Sequence, residues 1–478
     1  MGCIQAAMKG PVAADGGAVR LVRATGAIPF VRSTVPQLLM APETDSALWG
    51  RTNNPYSVDR TPGGSSGGEG ALVGSLCSPL GIGTDIGGSL RIPASHCGLA
   101  TLKMTPQRVS RAGLGTPRGP PFADPVTGTP FGGNDGVKPV WGPVARHCDD
   151  IEAIACAALA PGARLVDPTA PPCPWDGAAA AFPCGRPLRI GVLSAGDGFF
   201  SPGAAARRTT EDAAEALRAA GHTVVPFDAR AARLDECAIG YMELMSAPGG
   251  MRDMRSGLGG EPMHPLYSEL ARAASIPTWL RAAVVAPALR LLGMTRLASV
   301  VWAARQKSAY ELWLAAGMRD ARRAAFCREL DEQGRAAGCG PLDALLCPAF
   351  PVPATPHGDS RDMSLAASSA FVFNYLHVPA GVLTVSRVLE GEHGRGALAA
   401  EDGVDKIGTA AARGLEGAAG LPVAVQLVAR PYEDEAVLRC MRAVRDAAEA
   451  ERGAGSELGL RLTPPDVPTA SFAVTGCL

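Results

Sequence analysis

One segment restricts the fold more than any other, because a helical pattern, a glycine and a β-branched run follow one another without a break. The run ARRTTEDAAEALRAAGHTVVPF, residues 206–227, has apolar residues at helical spacing up to Gly221 and then a strand-like end. The preceding PLRIGVLSAG, residues 187–196, has the composition of a strand followed by a turn. This alternation predicts an α/β fold in which helices cover both faces of a mixed central β-sheet.

The same alternation starts near the N-terminus, where it is incomplete. A helix is expected over residues 17–24, a stop at Gly26 and a short strand over 28–31, but residues 1–10 have no strand pattern to precede them. We therefore expect one large domain over residues 1–478 that lacks its N-terminal part. A buried helix is expected within 71–83, ended near Pro79, and the loops are expected at 113–142, 160–186 and, as a mobile segment, 391–420.

Charge and cysteine content exclude several classes of protein. The net charge of −1 gives no reason to expect nucleic acid as a partner. The 13 cysteines are scattered without ligand spacing, which predicts reduced thiols in an intracellular protein and no zinc site. The N-terminus has no apolar signal segment. We therefore expect an intracellular protein.

Residues 276–306 form an apolar segment that contains several arginines. Arg281, Arg290, Arg296 and Pro287 interrupt it at spacings that a membrane-spanning helix would not tolerate. A helical hairpin that lies on a surface fits this pattern, and two amphipathic helices facing the core are the alternative.

Two clusters of glycine and serine carry the chemistry. In GTDIGGSLRIPAS, residues 83–95, the amides of Ile86, Gly87, Gly88 and Ser89 could converge on a carbonyl oxygen that Ser89 attacks, which is the requirement for an oxyanion hole. A tight glycine turn explains DIGGS alone equally well. The upstream PGGSSGGEG, residues 62–70, lacks the Lys-Ser/Thr pair of a phosphate-binding P-loop.

Taken together, the two clusters are more specific, because residues 63–95 resemble the signature of the amidase signature family of serine hydrolases. The similarity extends over nearly the whole chain, and within the family it is greatest to members that hydrolyse fatty acid amides. The other matching segments are GAIPFVRSTVPQ at 26–37, GLATLKMTPQRVS at 98–110, GPVARHCDDIEA at 142–153, AAGHTVVPF at 219–227, LLCPAFPVPA at 345–354, NYLHVPAGVLTV at 374–385 and GLPVAVQLVA at 420–429.

The resemblance implies a role for each matching residue. Ser89 matches the nucleophile that forms an acyl-enzyme, and Ser65 matches a bridging serine that follows a cis peptide bond, here Gly64–Ser65. The expected oxyanion donors are the amides of Ile86, Gly87, Gly88 and Ser89, and the residues expected to orient the loops are Ser66, Asp85 and Arg91. For Asp85 and Arg91 a buried structural ion pair is the alternative. Neither a metal nor an organic cofactor is expected.

The family's third catalytic residue is a lysine that must be neutral to accept a proton. Aligning the chain backwards from GAIPF places that position before Met1, so the resemblance implies a base upstream of this sequence. The chain's own lysines are Lys9, Lys103, Lys138, Lys307 and Lys406, of which Lys103 matches a different family lysine. The chain is thus expected to be a truncated form of an active hydrolase, or else an inactive relative that binds lipids or a partner.

The resemblance also implies an apolar acyl channel beside the nucleophile. Its candidate lining residues are Met40, Ile86, Phe371, Phe373, Tyr375 and Leu376, for each of which core packing is the alternative. Pro42 stands where relatives acting on fatty acid amides have an aromatic residue. Residues 264–306 are expected to form a helical membrane-docking cap, with Arg281 and Arg290 at the headgroups and Trp279, Leu280, Val284 and Leu291 in one leaflet.

The expected function is hydrolysis of fatty acid amides, such as acyl ethanolamides and primary fatty amides, by a Ser–cisSer–Lys mechanism. An amidase for small amides or an amidotransferase subunit is the alternative within the enzymes, and the apolar segment 276–306 argues against it. The partners expected from the resemblance are the fatty acid amide, a peripheral membrane contact and a second copy of the chain in a homodimer. The location that the resemblance implies is cytoplasmic or peripheral on endomembranes.

Overall fold

A mixed eight-stranded β-sheet forms the centre of the computed structural model, which describes residues 2–8, 15–110, 135–166 and 171–453. The strands are β1 (Asp45–Ser46), β2 (Gly50–Arg51), β3 (Leu80–Asp85), β4 (Ala100–Lys103), β5 (Val140–Ala145), β6 (Arg189–Val192), β7 (Thr223–Pro226), β8 (Ala344–Pro348), β9 (Ala380–Arg387) and β10 (Pro422–Val428). The central order is β3-β5-β4-β9-β10-β8-β6-β7, and β1 pairs with β2 apart from it. β6 runs parallel to β7 and β8, and the other neighbours in the sheet are antiparallel.

Helices surround this sheet and connect its strands. They are α1 (Ile4–Ala7), α2 (Gly17–Ala24), α3 (Gly67–Gly74), α4 (Arg91–His96), α5 (Cys148–Ala158), α6 (Ala163–Val166), α7 (Gly177–Ala180), α8 (Ala204–Ala219), α9 (Leu234–Met245), α10 (Arg252–Leu258), α11 (Ser268–Ser275), α12 (Thr278–Leu280), α13 (Ala286–Leu291), α14 (Thr295–Ala303), α15 (Ala309–Ala336), α16 (Ser360–Met363), α17 (Ser368–Tyr375), α18 (Lys406–Gly414) and α19 (Asp434–Gly453). Short 3₁₀ turns lie at Gln37–Leu39, Pro265–Tyr267, Ser364–Ala367 and Arg395–Leu398, and a π-helical turn lies at Arg281–Val285.

Both faces of the sheet are buried, as the alternation of the sequence predicts. Along β8, Ala344 and Leu346 belong to one hydrophobic cluster, whereas Leu345 and Cys347 belong to another. Because successive side chains of a strand point to opposite faces, these two clusters lie on opposite sides of the sheet. Residues of α5, α8 and α19 complete the first cluster, and residues of α9, α15 and α17 complete the second. The predicted α/β architecture is therefore confirmed.

The segment that most restricted the fold forms β6, α8 and β7. Gly221 follows the helix with φ +85°, and the amide of His222 donates to the carbonyl of Leu217 at 2.9 Å, which closes the helix end before β7 begins. The chain thus crosses from β6 to its parallel neighbour β7 through α8.

Some local expectations were wrong. Residues 28–31 form no strand, and Ile28 and Phe30 are 83% and 64% exposed, because no strand among the described residues pairs with them. The helix expected within 71–83 begins earlier, at Gly67, and Leu80–Asp85 is β3. The glycines of GGEG allow this helix to pack closely against its neighbours. A Cβ atom on Gly67 would lie 2.2 Å from Thr44 Oγ1.

The expected loops contain more regular structure than their composition indicates. Of the expected loop 113–142, residues 113–134 lie outside the described part, and Val140 begins the central strand β5. The short helices α6 and α7 lie within 160–186. Segment 391–420, expected to be a mobile loop, contains α18, whose N-terminus is capped by Asp405 through hydrogen bonds from the amides of Ile407 and Gly408.

Residues 276–306 fold as short helices, α12 to α14, that reverse direction at Gly293 (φ +78°). Trp279, Val284 and Leu291 are 69%, 52% and 89% exposed, whereas Leu280 is half-buried. Arg281 is buried and donates to the carbonyl of Ala304, so it braces the hairpin from inside. In the part of the chain that the structure describes, no helix is both long enough and apolar enough to span a bilayer.

Candidate active site

Ser89 lies on the short connection between β3 and α4, where a strand turns abruptly into a helix. The connection needs Gly88, because its φ of +114° disfavours other residues and an added Cβ would lie 2.8 Å from Ala370 Cβ. Ser89 is half-buried, as are Ile86 and Gly87. The turn therefore presents a partly accessible hydroxyl on a rigid support.

Asp85, the last residue of β3, holds this turn from inside the protein. Its Oδ1 accepts the amide of Gly88 at 2.8 Å and its Oδ2 accepts the amide of Leu90 at 3.2 Å. Burial alone would raise the pKa of Asp85, but the charge and hydrogen bonds of Arg91 outweigh it and hold that pKa well below its usual range. Asp85 is therefore an anion that organises the backbone on both sides of Ser89.

Arg91 connects this anion to the rest of the core. Its guanidinium, fully buried, donates to both carboxylate oxygens of Asp85 at 3.0 Å. It also donates to Asn374 Oδ1 at 2.5 Å and to Gln426 Oε1 at 2.7 Å. Asn374 in turn donates to Asp85 Oδ1 at 2.8 Å. Asn374 and Gln426 were not predicted from the sequence. Each is a lone amide within an apolar run, FVFNY or VAVQLV, and that contrast could have identified them.

The second glycine–serine cluster lies against the first. The peptide bond between Gly64 and Ser65 is cis, and Ser65 is 2% exposed. The amide of Ser66 donates to the carbonyl of Ser89 at 3.1 Å, and Ser66 Oγ accepts the amide of Thr84 at 3.1 Å. The structure therefore brings Ser65, Ser66 and Ser89 together, although Ser66 and Ser89 lie 23 positions apart along the chain.

The amides of the turn differ in what they bind. Because the Gly88 amide is already used by Asp85, the amides of Ile86, Gly87 and Ser89 are the remaining candidates for an oxyanion hole. Gly88 was also expected among these donors. The structure gives Gly88 the different task of shaping the turn.

The predicted channel residues are not all placed at this turn. Phe371 Cβ lies 3.7 Å from the position that a Cβ on Gly87 would take, and Met40 is partly buried. Phe373 and Tyr375 are almost fully buried, Phe373 with its ring 6.2 Å from that of Phe326 and Tyr375 against Gly240 of α9. Leu376 is also fully buried in the same cluster. These last three residues pack in the core.

Each of the described lysines has a hydrogen-bond or ion-pair partner outside the two serine loops. Lys103 is fully buried on β4 and donates to the carbonyl of Val378 at 2.5 Å, and burial lowers its pKa to about 7. Lys138 donates to Gln107 Oε1 at 2.8 Å, and Lys307 donates to the carbonyl of Ala303 at 2.8 Å. Lys406 pairs with Glu269 at 3.0 Å, and Lys9 lies outside the described residues.

Comparisons with known proteins identify the family of this chain. The model of the Amidase family matches residues 1–438. Fatty-acid amide hydrolase 1 of Sus scrofa is 33% identical over 91% of this chain and 70% of its own length. Fatty acid amide hydrolase 1 of Caenorhabditis elegans is 30% identical over 91% of this chain and 72% of its own.

Solved structures show the same fold. A fatty acid amide hydrolase superimposes with a TM-score of 0.67 at 23% identity, covering 91% of this chain and 68% of that protein. A 6-aminohexanoate cyclic dimer hydrolase complexed with substrate superimposes with a TM-score of 0.60 at 22% identity, covering 91% of this chain and 78% of the other.

Proposed function

Since this chain belongs to the Amidase family of amide hydrolases, we propose that it cleaves fatty acid amides through an acyl-enzyme on Ser89. The observation that carries the proposal is the hydrogen bond from the Ser66 amide to the Ser89 carbonyl, which joins the cis-Ser65 loop to the serine held by Asp85. A nucleophile and a neighbouring hydroxyl on two rigid loops are two of the three parts of a proton relay for acyl transfer, and the third is a base.

In the proposed reaction, Ser89 Oγ attacks the amide carbonyl and passes its proton towards Ser65. The carbonyl oxygen becomes negative and accepts hydrogen bonds from the amides of Ile86, Gly87 and Ser89. Collapse of this tetrahedral intermediate breaks the C–N bond, the amine leaves with a proton, and water then hydrolyses the ester on Ser89. The relay ends at a neutral base, the role that the resemblance gives to a lysine. We assign Ser89 and Ser65 to the relay, and we assign the base to none of the described residues.

The apolar surroundings support a long acyl chain as the substrate's acyl part. Ile86 and Phe371 adjoin the turn, and Met40 is partly buried beside the same core cluster. Two of the relatives that match most of the chain, each over 91% of it, are named as fatty acid amide hydrolases. We place the acyl chain between these apolar side chains and the amide nitrogen towards Ser65.

Labelling with a fluorophosphonate tests the nucleophile. The folded protein should be labelled, Ser89→Ala should not, and Ser65→Ala should be labelled at least about tenfold more slowly because the relay is broken. Hydrolysis rates for a series of primary amides should rise with acyl length from acetamide to oleamide. A folded protein that takes no label would overturn the proposal and favour the inactive lipid-binding relative, whereas preference for acetamide would favour a small-amide amidase.

We also propose that residues 264–306 dock on a membrane surface. Trp279 and Leu291 are exposed on the hairpin, and Arg290, which precedes Leu291 in the chain, is exposed as well. The double variant Trp279→Ala/Leu291→Ala should bind anionic phospholipid vesicles at least about tenfold more weakly in a sedimentation assay. Leu165→Ala is the matched control, since Leu165 is 91% exposed on α6, outside the hairpin. Equal losses in both variants would contradict docking through the hairpin.

A further inference from the structure

Gly87 and Gly88 are adjacent glycines that the fold requires for different reasons. Gly88 has a left-handed backbone, with φ +114°. Gly87 has no such backbone, but a Cβ there would lie 2.4 Å from the hydroxyl oxygen of Tyr241 and 3.2 Å from its Cζ. The next nearest atom, Phe371 Cβ, is at 3.7 Å, an ordinary contact. Gly87 is therefore a glycine because the hydroxyl of Tyr241 occupies the space beside it.

Tyr241 is held firmly in this position. It lies on α9, is 7% exposed, and its ring stacks on that of Phe371 with centroids 4.5 Å apart and planes 16° from parallel. The preceding residue, Gly240, packs so closely on Tyr375 of α17 that an added Cβ would lie 2.6 Å from that ring. This packing holds the α9 backbone that carries Tyr241 against α17, and the stacking on Phe371 orients the Tyr241 ring.

The same α17 also holds the anion beneath the turn. The carbonyl of Ala370 accepts Arg91 Nη1 at 2.8 Å, and Asn374 contacts both Arg91 and Asp85. The turn is thus fixed from two sides. Asp85 accepts hydrogen bonds from the amides of Gly88 and Leu90, while the Tyr241 hydroxyl oxygen lies 2.4 Å from the position that a Cβ on Gly87 would take.

We propose that Tyr241 is a positioning residue for the acylation of Ser89, because it keeps the Gly87 amide aimed at the oxyanion. This inference rests on the proposed function, in which that amide is one of three oxyanion donors. A donor stabilises an oxyanion only at about 2.7–3.1 Å, and a misplacement of about 1 Å costs about 100-fold in rate. Without the hydroxyl, the Gly87 amide can shift towards α9 and lose this alignment.

A double-mutant cycle tests the proposal through the rate constant for fluorophosphonate labelling and through kcat and KM for oleamide. Tyr241→Phe should lower kcat about tenfold and leave KM within about twofold, since the contact acts on the transition state. Gly87→Ala should lower the labelling rate about 100-fold. Tyr241→Phe/Gly87→Ala should be at least about tenfold faster than Gly87→Ala, because the 2.4 Å contact is gone.

Gly88→Ala provides the matched control. Its added Cβ meets Ala370 and Ile92, not Tyr241, so Tyr241→Phe should give it no rescue. Labelling of the double variant at the product of the two single effects, or equal rescue of Gly88→Ala, would overturn the role of Tyr241. If Gly87→Ala does not fold by circular dichroism, the kcat and KM of Tyr241→Phe decide, and unchanged values overturn the proposal. Absence of labelling in the folded wild-type protein would instead refute the proposed function.

Discussion

Replacing Arg91 with methionine should destabilise the protein more than any loss of a surface ion pair. The guanidinium is fully buried, and its acceptors are the two oxygens of Asp85, the carbonyl of Ala370, Asn374 Oδ1 and Gln426 Oε1. Methionine fills much of the same volume but donates no hydrogen bond. The variant therefore leaves a buried carboxylate without its counter-charge.

The size of the effect follows from burial. Removing one partner of a buried ion pair typically costs about 3–5 kcal/mol, because the remaining charge is uncompensated. We expect a loss of about that size in the free energy of unfolding of Arg91→Met. The double variant Asp85→Leu/Arg91→Met should be more stable than Arg91→Met, since no charge is then stranded, although the amides of Gly88 and Leu90 lose their acceptor.

Urea unfolding followed by circular dichroism measures these free energies. Arg413→Met is the matched control, since Arg413 is 53% exposed in its pair with Asp359 and solvent screening limits the expected loss to less than about 1 kcal/mol. A loss for Arg91→Met no larger than for Arg413→Met would refute the reasoning. So would a double variant less stable than the single one.

Three further predictions concern other buried groups and helix α15. Burial beside Arg91 lowers the pKa of Lys103 to about 7, so above that pH the folded chain binds fewer protons than the unfolded chain and stability rises towards pH 10.5. The free energy of unfolding, measured in urea between about pH 7.5 and 9.5, should therefore rise with pH in the wild-type protein. Lys103→Met should reduce that rise by up to about 1.4 kcal/mol per pH unit, and an unchanged rise would contradict a lowered pKa of Lys103. Glu43 is 1% exposed and accepts hydrogen bonds from three donors within residues 357–360. Glu43→Ala should therefore lower the free energy of unfolding by about 2–3 kcal/mol in the same assay. A loss below about 0.5 kcal/mol would show that Glu43 does not stabilise this segment. In α15, the methyl group of Gly317→Ala would enter open space, so this change should raise the free energy of unfolding by up to about 1 kcal/mol. Gly334→Ala would place a Cβ 2.2 Å from the carbonyl oxygen of Gly340 and should lower the free energy of unfolding. Equal effects of the two changes would contradict the close contact at Gly334.

Much of the architecture could be predicted from local patterns. The helix Gly17–Ala24 and the β6–α8–β7 unit were predicted correctly, because their apolar spacing and their terminal glycines are properties of neighbouring residues. Strand β3 was missed, since LGIGTD contains two glycines and its strand character depends on pairing with β5. Helix α18 was missed because the surrounding glycines and charges concealed its Asp405 cap.

The candidate site divides in the same way. Its serines and glycines could be identified from the sequence, because they stand in two compact clusters of unusual composition. The contact that makes Gly87 necessary could not, since Tyr241 lies on a distant helix and looks like an ordinary core residue in its own segment. The hydrogen bond from the Gly88 amide to Asp85 could not be predicted either, because it depends on the shape of the turn.

By itself, therefore, the sequence determined the alternation of helices and strands and the two loops that carry serines, because hydrophobic period and glycine conformation act over a few residues. Only the tertiary structure decided which groups surround Asp85 and Arg91. Asn374 and Gln426 are 283 and 335 residues from Arg91 along the chain. A buried charge needs hydrogen-bond or ion-pair partners, and the folded sheet and helices bring those partners from distant parts of the chain. No local sequence pattern specifies which residues they are.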